Sequence, residues 1–264
     1  MSIRTYNPSV RVGNWNEDIW LEEDLLKDFV QKRENGELLI QKAPEYYSPL
    51  LRSVTLSHTS EGVVSFGDVI SLHHPHLREN LTIYMTNNQL YDTVNKPKST
   101  GVTTSKALNP RYRNTFTISC QPGSGAANGQ PLLYGQKFFL STLPGDVVGD
   151  LKLSSERATL YKSAKKSRHN EVSLTANGSY ESCWHVVHFD PQQRLESEGS
   201  PVPVDTKVVV MHSKTNEALS ALEKWSYSTP FGKEHEVTAH TFLDSHKAEE
   251  KENHWVFVSS SGKK

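Results

Sequence analysis

The sequence predicts an all-β fold, and within that class a β-trefoil. Three observations predict it: a closing strand written three times, an opening strand written three times, and a near-constant distance between them. The closing strands are Asn114-Thr115-Phe116-Thr117-Ile118, Ser182-Cys183-Trp184-His185-Val186 and Asn253-His254-Trp255-Val256-Phe257. Each reads small polar, intervening residue, large aromatic, intervening residue, apolar. A period of two places the aromatic and the apolar residue on the same face of a strand. The aromatics stand 68 and 71 residues apart.

The opening strands carry their turns with them: Phe66-Gly67-Asp68-Val69-Ile70-Ser71-Leu72, Tyr134-Gly135-Gln136-Lys137-Phe138-Phe139-Leu140 and Val204-Asp205-Thr206-Lys207-Val208-Val209-Val210. Their turn residues Gly67, Gly135 and Asp205 are 68 and 70 residues apart, and each precedes its closing aromatic by 49, 49 and 50 residues. Two independent markers on one period define a repeat. Glu171-Val172-Ser173 and Glu236-Val237-Thr238 precede their aromatics by 13 and 19 residues, which puts a longer loop in the third unit. Three units of four strands close a short barrel capped by hairpins. A propeller needs more and shorter units, and stacked immunoglobulin-like domains need longer units with their own cores.

Taken in order, the chain begins with an N-terminal arm and helix over 1–52. Asn16 caps a helix whose acidic residues crowd the first turns, whose Lys32 and Arg33 sit near its end, and which Asn35-Gly36 stops. Leu21, Leu25 and Phe29, widened by Leu26 and Val30, make its apolar stripe. That stripe docks on the β domain or on a partner, and the pair Trp15 and Trp20 keeps the partner in view. Residues 37–52, with Pro44, Tyr46, Tyr47 and Pro49, read as an ordered arm, and Ser53–Ser57 as a strand. The β-trefoil domain then spans 53–260, with units at about 63–120, 131–190 and 202–260, a polar insertion at 87–112 and a frayed tail at 261–264.

Composition bounds the function. Of 264 residues, 29 are basic and 30 acidic, giving a net charge of −1. With a pI of about 6.9, this argues against a dedicated nucleic-acid binder. The longest apolar runs are short strands such as 208–211, so no membrane-spanning helix is expected, and the first residues lack the apolar stretch of a signal peptide. Cys120 and Cys183 fall at non-equivalent repeat positions and form no disulfide framework, which predicts a reducing, intracellular compartment.

No catalytic, metal or cofactor set is predicted. Asp244, Ser245 and His246 have the right types for a triad, but adjacent side chains diverge. His73-His74-Pro75-His76 lacks the cysteine or carboxylate spacing of a closed metal site. The Gly-rich stretch 123–129 has neither the Lys-Ser/Thr of a phosphate loop nor a strand-to-helix setting, and reads as a linker. Asn177-Gly178 reads as a hairpin turn.

The leader Gly13-Asn14-Trp15-Asn16-Glu17-Asp18-Ile19-Trp20-Leu21-Glu22-Glu23, the segments Leu38-Leu39-Ile40-Gln41 and Tyr134-Gly135-Gln136, the run from Phe231 to His246, and Asn253-His254-Trp255 resemble the cilia- and flagella-associated protein 161 family. The resemblance runs from residue 13 to 255; residues 87–130 do not share it. It implies a β-trefoil of the MIR type and a microtubule inner protein in the lumen of axonemal doublet microtubules of motile cilia, with tubulin and other inner proteins as partners. It carries no catalytic motif.

The one basic cluster, Lys162, Lys165, Lys166 and Arg168, is a solvated loop or a contact with acidic tubulin. The candidate partner contacts are therefore these four residues with Trp15, Trp20, Tyr46 and Tyr47, and the repeat core is Phe116, Trp184 and Trp255. The competing function class is a lectin-like or ligand-binding trefoil in the cytoplasm. It calls for an aromatic platform with a nearby Asp in each equivalent pocket, a set the three dissimilar loops do not repeat.

Overall fold

The structure is a computed structural model and describes residues 15–59, 61–91, 96–145 and 148–260. The expected tail at 261–264, and the arm before Trp15, lie outside the described residues. The chain divides into two compact units, Met1–Ser48 and Pro49–Lys264.

The first unit contains α1 (Trp15–Glu34), with Glu17 and Asp18 in its first turn and Lys32 and Arg33 in its last, matched to the helix dipole. Lys32 pairs with Asp28 at 2.7 Å one turn back, and Gly36, in the left-handed region at φ +71°, takes the chain out. Ile19, Trp20, Leu21, Leu25, Leu26 and Phe29 are all about half exposed or more. A second helix, α2 (Leu39–Leu51), forms where an ordered arm without helix is expected. Its residues Ala43, Tyr46, Tyr47 and Leu50 recur at the helical spacing i, i+3, i+4, i+7, and Leu50 is buried. Pro44 and Pro49 each delete a backbone donor and argue locally against a helix, but the apolar face outweighs them.

The second unit is all-β. Its strands are β1 (Val69–His74), β2 (Glu79–Tyr84), β3 (Ser99–Ser105), β4 (Phe116–Cys120), β5 (Lys137–Thr142), β6 (Lys152–Ser155), β7 (Asn170–Thr175), β8 (Trp184–His188), β9 (Lys207–His212), β10 (Glu217–Thr229), β11 (Gly232–Ala239) and β12 (His254–Val258). Two short helical turns, α3 (Asn87–Tyr91) and α4 (Arg194–Ser197), interrupt them. The pairings β1–β4, β4–β5, β5–β8, β8–β9, β9–β12 and β12–β1 close a ring of six antiparallel strands. The remaining six form the pairs β2–β3, β6–β7 and β10–β11, and β3, β7 and β11 also pair with one another.

Two smaller features repeat with the same period. Val64 N–H donates to Val202 C=O, Val202 N–H to Leu132 C=O, and Leu132 N–H to Val64 C=O, at 2.9, 2.8 and 2.8 Å, a cycle of three hydrogen bonds among wholly buried residues. Gly67, Gly135 and Asp205 all have positive φ, and their N–H groups bond the closing strands at Ile118, Val186 and Phe257. Asp205 manages this at φ +57° because Asp tolerates the left-handed region better than most L-residues.

Three local expectations fail. The polar stretch 87–112 is not an irregular insertion, since β3 runs through it and pairs with three other strands. Ser53–Ser57 forms no strand, only an isolated bridge from Ser53 to Arg111. Asn177-Gly178 makes no hairpin turn and lies between β7 and a 3-10 turn at Tyr180–Ser182.

Candidate functional site

A 3-10 turn leads into each closing strand, at Tyr112–Asn114, Tyr180–Ser182 and Lys251–Asn253. The small polar residue ending each turn is wholly buried and clamps the incoming loop. Asn114 accepts from Arg111 N–H at 2.6 Å and donates to Ala107 C=O at 2.8 Å. Asn253 accepts from Phe242 N–H and donates to His240 C=O, both at 2.8 Å, and Ser182 donates to Asn177 C=O at 3.1 Å. An amide satisfies donors and acceptors at once, which a buried loop requires.

Two residues beyond each clamp, Phe116, Trp184 and Trp255 are wholly buried, paired across the ring with Ile70, Phe138 and Val208. The indole N–H of Trp184 donates to Leu153 C=O at 2.8 Å, and that of Trp255 to Leu219 C=O at 2.9 Å. A polar side chain of the neighbouring unit sits beside each aromatic: His212 at 4.8 Å from Trp184, His74 at 5.0 Å from Trp255, and Thr142 opposite Phe116. Burial lowers the pKa of both histidines, that of His74 to about 4. The motif His73-His74-Pro75-His76 is thus divided: His74 belongs to the core, and His76 reaches Glu223 at 3.4 Å.

A second polar cluster fixes the long β10–β11 hairpin. Arg113 reaches Glu234 at 2.7 Å and lies 3.9 Å over the ring of Phe231, while Thr103 donates to the other oxygen of Glu234 at 2.7 Å. Alongside, His235 and Thr104 meet Glu79 at 2.8 and 2.6 Å. These charges are committed to holding hairpins together. The acid of Asp244-Ser245-His246 accepts the backbone N–H groups of His246 and Ala248, shaping a turn.

The basic cluster lies on the β6–β7 connection. Lys162 pairs with Glu156 at 2.7 Å, and the Lys166 ammonium bonds Ser226 C=O and lies 4.9 Å over the ring of Tyr227. Lys165 and Arg168 are exposed. Tyr46 and Tyr47 are half-buried on α2, Trp20 is 63% exposed on α1, and the side chain of Trp15 lies outside the described residues. Sequence reasoning missed Leu160 and Tyr161 on the same connection, 96% and 99% exposed. The sequence marks the pair only as two large apolar residues beside four cations in an otherwise polar stretch, which by itself does not give their exposure.

A cleft of about 230 Å³ opens where β3, β7 and β11 meet, lined by Tyr84, Thr103, Glu171, Tyr227 and Glu236 among others. The Glu236 carboxylate is already taken by the N–H groups of Lys166 and Ser167 and by the Tyr227 hydroxyl, whose pKa burial and that carboxylate push up.

These features define a class: an all-β domain of three matched strand sets whose buried polar groups serve the fold, bearing a basic, apolar-tipped loop. The comparisons agree with that class and narrow it. The cilia- and flagella-associated protein 161-like domain matches residues 42–260. Cilia- and flagella-associated protein 161 of Bos taurus is 41% identical over 100% of this chain and 85% of its own length. That of Danio rerio is 41% identical over 98% and 89%. The chain belongs to the cilia- and flagella-associated protein 161 family. Among solved structures, the SDF2-like protein from Arabidopsis thaliana superposes with a TM-score of 0.56 at 18% identity, over 74% of this chain and 94% of that one, a likeness of fold alone.

Proposed function

We propose that the chain is a MIR-type β-trefoil acting as a non-catalytic structural protein of motile cilia and flagella. In this reading it is a microtubule inner protein on the luminal side of axonemal doublet microtubules, with tubulin and neighbouring inner proteins as partners. The observation that carries the reading is family membership over nearly the whole chain, with relatives named for cilia and flagella. The closed ring of six strands, with three hairpin pairs meeting at one end, supports the trefoil. The commitment of buried charge to internal contacts supports a scaffold, and the exposed cations Lys165 and Arg168 suit an acidic polymer such as tubulin.

The test is a density map of doublet microtubules from ciliated cells that express the tagged chain, set beside one from cells that lack it. Difference density against the inner wall at a regular axial repeat is the expected result. A chain absent from the doublet, or bound only outside it, overturns the reading.

A further inference from the structure

The connection between β6 and β7 is ordered from within, although it is long and polar. Ala158 N–H donates to the Asn170 side chain at 2.8 Å, and Ala164 N–H to His169 C=O at 2.9 Å. The Glu236 carboxylate accepts from Lys166 and Ser167 N–H at 3.0 and 2.8 Å, which ties the far limb to β11. Ala164 is buried beneath. At the tip, Thr159 N–H donates to Lys162 C=O at 2.8 Å while Lys162 N–H donates to the Thr159 hydroxyl at 3.0 Å. The chain is therefore closed around Leu160 and Tyr161 and drives both side chains into solvent.

Two large apolar side chains are thereby displayed on a turn already held in shape, where folding buries neither of them and a partner can. Preorganisation of this kind removes much of the ordering entropy of binding, and tyrosine is among the residue types that carry interface energy. Charge decides what covers it. Residues 156–169 hold Arg157, Lys162, Lys165, Lys166 and Arg168 against the single acid Glu156, a formal charge of +4 with histidine neutral. Lys162 and Lys166 are engaged locally, leaving Arg157, Lys165 and Arg168 exposed on the same loop.

We propose that the 156–169 loop is a docking knob: Leu160 and Tyr161 insert into an apolar cleft of an acidic protein surface, and the surrounding cations set the register. This deepens the proposed function and rests on it. A protein surface suits the geometry better than an anionic bilayer. Two apolar side chains on a stiff turn offer little area to a fluid interface, whereas a shaped cleft takes advantage of the fixed turn.

The test uses the full chain and tubulin polymerised in its presence, at low and high salt. Leu160→Ser with Tyr161→Ser should weaken co-sedimentation about tenfold or more at both salts with an unchanged melting curve. Lys165→Glu with Arg168→Glu should weaken it mainly at low salt. Wild-type chain that pellets while the Leu160/Tyr161 variant pellets equally overturns this inference and leaves the proposed function standing. Wild-type chain that never pellets overturns both. Flotation with phosphatidylserine vesicles that depends on Leu160 and Tyr161, without pelleting that depends on them, overturns the protein partner in favour of a membrane.

Discussion

His74 packs edge-on against Trp255, their ring centroids 5.0 Å apart and their planes at 79°. The imidazole is saturated in one neutral form: Leu77 N–H donates to Nδ1 at 3.2 Å, and Nε2 donates to Glu252 C=O at 3.1 Å. A proton on Nδ1 would have to displace the Leu77 bond inside the core. Burial above all, with His76, His73 and His254 adding to it, holds the pKa down to about 4. Unfolded, the same group takes its proton near pH 6.5. Between these values the unfolded chain binds more protons, so stability is full above about pH 6.5 and drains away as pH falls toward about 4. The full effect for this one residue is on the order of 3 kcal/mol. His212, lowered in the same direction, adds to it. Denaturant midpoints measured from pH 7.5 to 4.5 should fall steadily, and His74→Gln should flatten the slope. A profile flat across that window would contradict the buried neutral pair.

The indoles make a second comparison. Trp184→Ala and Trp255→Ala should each cost about 3–5 kcal/mol, from lost burial and the cavity left behind. Trp184→Phe should cost less, about 1–3 kcal/mol, because the ring is largely kept while Leu153 C=O loses its donor. Phe116 has no N–H to lose, so Phe116→Trp tests the reverse: a larger ring in a wholly buried place should overpack by about 1–3 kcal/mol. Chemical denaturation of the four variants checks the ranking.

What could be read in the sequence follows from what is periodic. Phe116, Trp184 and Trp255, and the turns at Gly67, Gly135 and Asp205, stand at one spacing, so the all-β class and its closing strands are visible in the sequence itself. β3 was hidden because Ser99–Ser105 is made of Ser, Thr, Gly and one Val, and its Thr103 and Thr104 are buried through hydrogen bonds to Glu234 and Glu79. A hydropathy pattern cannot register a core strand satisfied by polar pairs. α2 was hidden for a different reason, since two prolines spoke against it locally while the spacing of Ala43, Tyr46, Tyr47 and Leu50 spoke for it. At the candidate contact surface the cations were legible by composition. The exposure of Leu160 and Tyr161 was not, because hydrophobic residues in a polar stretch normally turn inward.

The ion pair of Arg113 and Glu234 gives a prediction of opposite signs. Both side chains are buried, at 2% and 0% exposure, and burial pulls the guanidinium pKa down against the pull of the carboxylate. Arg113→Met alone strands the carboxylate and should cost about 3–5 kcal/mol. Glu234→Gln added to it should recover most of that loss, because the unpaired charge is gone while Thr103 keeps an acceptor. The double-mutant cycle reads this coupling directly, and additive losses would mean that the pair does not interact as its 2.7 Å separation implies.

The last prediction separates fold from contact within one loop. Lys166 holds structure: its ammonium bonds Ser226 C=O and lies over Tyr227, next to the Glu236 carboxylate that its own N–H helps to saturate. A glutamate there would bring a second negative charge toward Glu236. Lys166→Glu should therefore lower stability by about 1–2 kcal/mol and loosen the β6–β7 connection. Lys165 and Arg168 face solvent, so Lys165→Glu with Arg168→Glu should leave the melting curve within about 0.5 kcal/mol of wild type. Retention on isolated doublet microtubules should behave differently. It should fall for the exposed pair in a manner that high salt masks, since surface charge acts over a Debye length and is screened. Hydrogen exchange of residues 156–170, measured beside retention, distinguishes the two effects. If Lys165→Glu speeds exchange as much as Lys166→Glu does, the loop has no separate structural and contact faces, and the assignment of Lys165 to a partner is lost.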